Sequence, residues 1–124
     1  MKREIKFRGK AKDGGTWVHG DLTTGNTIHS SPSWYEDGEV EWWGHECHEE
    51  TIGQYIGLKD KNGKEIYEGD IFKFAGLLYE VRFKKGCFLA YHNGEQMGII
   101  AEYSHMYVEI IGNIHDNPEL LKDE

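Results

Sequence analysis

The chain has 124 residues, enough for one ordinary domain or two very small ones that bury a core without disulfides or metal. A formal net charge of −8 and a pI near 5.3 disfavour nucleic acid and anionic membrane surfaces as partners. Two cysteines, Cys47 and Cys87, are too few for a disulfide-stapled secreted scaffold. "MKREIKFRGK" lacks the apolar core of a signal peptide, and no apolar run is long enough to span a membrane. The expectation is a cytoplasmic protein with free, reduced thiols.

From the N-terminus, "REIKFRGK" alternates, with Ile5 and Phe7 set between Glu4, Lys6 and Arg8, and predicts a strand. "KDGG" predicts a turn and "TWVHGDL" the return strand, with Trp17 and His19 on one face. "TTGNTIHSSPS" reads as a loop or as a weak strand around Ile28. "SWYEDGEVEWWG" predicts a hairpin turning at Asp37-Gly38. Alternation in "EVEWW" puts Val40 and Trp42 on one face and Trp43 on the other. Trp34, Tyr35 and Trp43 are therefore candidate binding aromatics, set against plain cross-strand packing.

"HECHEE" follows and reads as an exposed polar loop. Its thiol and imidazoles are the donor types that zinc selects, and the best four-ligand set is His45, Cys47, Cys87 and His92. The spacing opposes this, because adjacent residues such as Cys47 and His48 point to opposite faces of a strand. No cofactor is expected.

A change of character near Glu50 divides a first region, 1–50, from a second, 51–124. In the second, "IGQYIGL" and "KEIY" are strands around "KDKNGK", where Asn62 and Gly63 tolerate positive φ. Gly69 and Asp70 make another sharp turn. "IFKF", "LLYEVRF", "CFLAYH", "MGIIAEY" and "YVEIIGNI" follow, the first four separated by "AG", "KKG" and "NGEQ". That close spacing of strands and glycine turns predicts a small barrel or sandwich. In "DNPELLK", Asn117 and Pro118 fit the start of a helix of one or two turns. The glycine-rich stretch from Gly57 to Asp70 leads into a strand, not a helix, which removes the phosphate-loop reading.

Three blocks, "REIKFRGK", "TIGQYIGLKDKNGKEIYEGDI" and "VEIIGNIHDNPELL", resemble in order the signature blocks of the YopX family of phage and prophage proteins. The resemblance implies a mostly β protein with an N-terminal β region, a C-terminal SH3-like small barrel and a bacterial host cytoplasm. It carries no catalytic or binding residues. No nucleophile elbow, zinc-protease or P-loop motif occurs. The expected function is non-enzymatic, through an unknown protein partner or self-association. The alternatives are a nucleic-acid-binding SH3-like module, opposed by charge, and a metal or cysteine site around His45, Cys47 and His48.

Overall fold

The structure is a computed structural model, and it describes residues 5–29, 33–34, 40–41, 44–99 and 107–121. The protein is mostly β, with two main antiparallel sheets and only short 3-10 turns as helical elements among the described residues. No helix among them is long and apolar enough to cross a membrane. The chain forms two units that divide between Gln54 and Tyr55, where the sequence reading put the change near Glu50.

The first unit contains β1 (Phe7–Lys10), β2 (Trp17–Thr23), β3 (Thr27–His29), β4 (Ser33–Trp34), β5 (Val40–Glu41), β6 (Gly44–Glu46) and the first residues of β7 (Gly53–Lys59). β2 lies between β1 and β3, β6 pairs with the far side of β3, and Gly53 and Gln54 pair with β1. β4 and β5 form their own ladder, with Ser33 opposite Glu41 and Trp34 opposite Val40. Asp37 and Gly38 themselves, with Tyr35, Trp42 and Trp43, lie outside the described residues.

Around Ile28 a strand forms, not a loop. Thr27 and His29 alternate with Ile28, so Ile28 points inward and is wholly buried. In "HECHEE", Glu46, His48, Glu49 and Glu50 are exposed as expected, and the correction is confined to two points. Its first two residues belong to β6, and Cys47 is wholly buried, bridged in backbone to Ala11. Gly9 makes this possible: a Cβ there would sit 3.0 Å from the Cys47 Cβ and 3.2 Å from Ile28 Cδ1. Only a residue without a side chain lets the sulfur pack so close to the sheet.

The second unit begins with the rest of β7, which pairs with β8 (Glu65–Tyr67). Its five-stranded sheet contains β9 (Asp70–Phe74), β10 (Leu77–Lys84), β11 (Cys87–His92), β12 (Glu95–Ile99) and β13 (Glu109–Asn113), in the order β12-β11-β10-β9-β13. Ile56, Ile66, Phe72, Tyr79, Val81, Ala90, Val108 and Ile110 make one buried cluster. Leu58, Phe74 and Phe88 pack against it, and the Phe72 and Tyr79 rings stack 5.1 Å apart. In β7 both Tyr55 and Ile56 are buried, although strict alternation separates them. The strand is thus covered on both faces at this point, and its register shifts farther on, between Tyr55 and Lys59, where Gly57 has φ 92°.

Asn62 and Gly63 lie in the loop between β7 and β8, with Gly63 at φ 82°. Gly69 has φ 93°, donates its N–H to the Val81 carbonyl and accepts from the Ile114 N–H. Asp70, 1% exposed, accepts the Tyr67 N–H at 2.8 Å and closes the same turn. The hairpins at Ala75-Gly76, Lys85-Gly86 and Asn93-Gly94 each place two consecutive residues at positive φ, the geometry of type I′ turns.

In place of the expected C-terminal helix, Pro118–Leu121 is a single 3-10 turn, with the Leu120 N–H donating to the Asn117 carbonyl. The side-chain oxygen of Asn117 accepts the Asn113 N–H at 3.2 Å. The would-be cap is thus engaged with the strand behind it.

Candidate functional site

In the first unit, alternation along β1 and β2 sorts the residues into two faces. Gly9, Ala11, Ile28 and Cys47 form the buried one. On the other, Arg8, itself buried, opposes His19, and Lys10 opposes Trp17. The Arg8 guanidinium lies 4.6 Å from the Trp17 ring centre and the Lys10 ammonium 5.6 Å from it. Two cations on one indole fix its orientation.

The four candidate metal ligands occupy four different settings. Burial pushes the Cys47 thiol up, against a smaller opposing effect of a backbone hydrogen bond at Ile28, and its Sγ–H donates to the His45 carbonyl at 3.4 Å. Such a thiol is a small core hydrophobe, not a nucleophile. His45 sits on β6 opposite Ile28. Cys87 is exposed, opposite Lys84 at the end of the β10–β11 hairpin. His92 Nδ1 lies 2.9 Å from the Leu78 carbonyl, which makes Nδ1 the protonated nitrogen. His48 Nδ1 lies 3.9 Å from Glu50 Oε1 on the surface. Among the described residues no three His, Cys, Asp or Glu side chains gather as a metal site.

The second unit carries a cleft of about 270 Å³ lined by Glu80, Arg82, Tyr91, Asn93, Gly94 and Leu121. Strand period and register build it. Glu80 and Arg82 alternate with the buried Tyr79 and Val81, so they share the opposite face of β10. Cross-strand pairing sets Tyr91 opposite Glu80, and the two-residue turn after His92 places Asn93 and Gly94 at the rim. The Arg82 guanidinium lies 4.4 Å above the Tyr91 ring centre and donates from Nη2 to Glu80 Oε1 at 3.0 Å. Glu80's hydrogen bond and charge raise the Arg82 pKa further against partial burial. The result is a fixed guanidinium on an aromatic base beside a carboxylate that is only 13% exposed. Lys84 adds a second cation 5.7 Å from the same ring.

Nothing local in the sequence singles out this cleft. The spacing of Glu80 and Arg82 in "YEVRF" marks a shared face, but Tyr91 joins them only through the strand register. Nor does the sequence single out Asp60, 4% exposed, whose Oδ1 accepts the Asn62 and Lys64 N–H groups, both at 2.9 Å, while Oδ2 accepts the Ile110 N–H at 3.0 Å. Burial alone raises its pKa. The three backbone donors and the Lys64 charge outweigh that and hold the carboxyl below its ordinary value.

On the core-facing side of β10, Phe83 is 47% exposed and its ring lies 4.9 Å from that of Phe88. Phe88 in turn packs on the buried cluster. An aromatic pair thus runs from the core of the unit to its surface at the end of the β10–β11 hairpin.

The family model described as "YopX protein" matches residues 6–122. A solved structure, the crystal structure of protein EF1440 from Enterococcus faecalis, is similar over 98% of this chain and 100% of that one. It shares 26% identity with a TM-score of 0.63. No curated protein matches the chain.

Proposed function

We propose that this chain, which belongs to the YopX family, is a non-enzymatic accessory protein of a phage or prophage. It acts in the bacterial cytoplasm by binding another protein or a second copy of itself. The observation that carries this reading is Phe83. A large aromatic that is nearly half exposed yet anchored on Phe88 loses little side-chain freedom on contact and removes apolar area from water. The net charge of −8 favours a protein over a nucleic acid as the partner. The strongly paired antiparallel strands of the second unit support reading it as the SH3-like barrel that presents this surface.

Sedimentation velocity over a concentration series, with affinity capture from the natural host, tests the proposal on the wild type and on Phe83→Ser. Self-association, or retention of one specific protein, that Phe83→Ser removes while the melting temperature holds is the expected result. A wild-type monomer that retains nothing specific, or binding indifferent to Phe83→Ser, ends the reading.

A further inference from the structure

We infer that the cleft formed by Glu80, Arg82 and Tyr91 binds a small ligand through an α-carboxylate that carries an N–H donor on the neighbouring carbon. A guanidinium has five N–H donors. Among the described residues, Glu80 Oε1 is the one hydrogen-bonding partner of the Arg82 side chain. The remaining donors belong to a side chain that lies on the Tyr91 ring and is 35% exposed, and a planar carboxylate is the matching acceptor for such a fork. Glu80 likewise uses one oxygen on Arg82, and its Oε2 remains as an acceptor among the described residues.

Donor fork and acceptor side by side match an anion that has an N–H next to it. A phosphate dianion is the poorer match, because it brings two negative charges against the mostly buried Glu80. The volume, about 270 Å³, suits a single amino-acid residue, and Leu121 gives its side chain an apolar wall. Free amino acids and the last residue of a peptide chain both present this chemistry. The inference does not depend on the Phe83 surface and can fail or hold separately from it.

The test is a titration of the isotope-labelled full chain, followed by NMR, with three probes: L-leucine, N-acetyl-L-leucine and N-acetyl-L-leucinamide. Saturable shifts at the amides of Tyr91, Asn93, Gly94 and Leu121 with one or both carboxylates, and none with the amide, are expected. Preference for L-leucine identifies the free amino acid as the source; preference for N-acetyl-L-leucine identifies a chain end. Arg82→Gln weakens binding about tenfold or more. Arg82→Lys keeps the stem and charge but not the fork. Asn93→Asp adds a negative charge on an exposed turn that tolerates it. These two variants carry the test if Arg82→Gln unfolds, and both bind more weakly than wild type. No saturable shift with either carboxylate, an equal response to the amide, or wild-type affinity in Arg82→Lys and Asn93→Asp overturns the inference.

Discussion

Replacing Ala75 and Lys85 together by Asn should stabilise the protein. Both residues occupy the first central position of two-residue hairpin turns, at φ 53° and 52°. At that position an L-residue with a Cβ pays about 1–2 kcal/mol for the left-handed conformation. Asn relieves part of this through its short polar side chain, and the equivalent position of the third hairpin already holds Asn93, at φ 54°. Ala75 and Lys85 are exposed, so no packing is lost. Asn is a better choice than Gly because it adds little freedom to the unfolded chain.

A gain of roughly 0.5–1 kcal/mol per site follows. The two sites flank the eight-residue strand β10. They are therefore about 25 Å apart, and their effects should add. The sum, about 1–2 kcal/mol, raises the melting temperature by roughly 4–10 °C for a protein of this size. Urea titration and calorimetry measure it, with Asn93→Ala as the reverse control, expected to cost about 1 kcal/mol. A double variant that melts at or below wild type, alongside a neutral Asn93→Ala, would refute the turn assignment.

Asp60→Asn should destabilise by about 2–4 kcal/mol, since it replaces a charged acceptor of three backbone N–H groups by an amide that can misplace a donor against them. The folded pKa of Asp60 is depressed, so its contribution is present above the ordinary value of 3.8 and lost as pH falls through the folded pKa. Urea titrations at a series of pH values should show wild-type stability declining below about pH 4, with a shallower decline in Asp60→Asn; parallel declines would count against the clamp. Gly63→Val should cost about 1–2 kcal/mol or more, all of it backbone strain, because a Cβ at φ 82° meets nothing within 4 Å; Gly63→Asn should cost less, and equal melting temperatures would contradict this. A chromogenic thiol reagent should titrate one thiol in the native protein, Cys87, and two in denaturant, because Cys47 is wholly buried. Fast reaction of both in the native state would show that Cys47 is not a core residue.

What the sequence alone determined is what local chemistry dictates. The turns at Gly63, Gly69, Gly76, Gly86 and Gly94 are legible because a left-handed backbone there favours glycine. The alternation in "KFRGK" and "YEVRF" is legible because side chains in a strand repeat every two residues. What only the tertiary structure decided depends on which segments meet. Ile28 is the lone large apolar residue of a stretch that reads equally as a loop or a weak strand, and the pairing of β2 and β6 on either side of β3 decides for the strand. Cys47 reads from sequence as a free, partly buried thiol with a metal ligand as the alternative, and it is Gly9 that lets it pack wholly buried against the sheet. Asp60 reaches the backbone of Ile110, 50 residues away, and Tyr91 meets Glu80 and Arg82 through strand register. A one-residue slip in that register would turn the cleft's side chains to the opposite face, so their convergence belongs to the folded sheet and not to any short stretch of the chain.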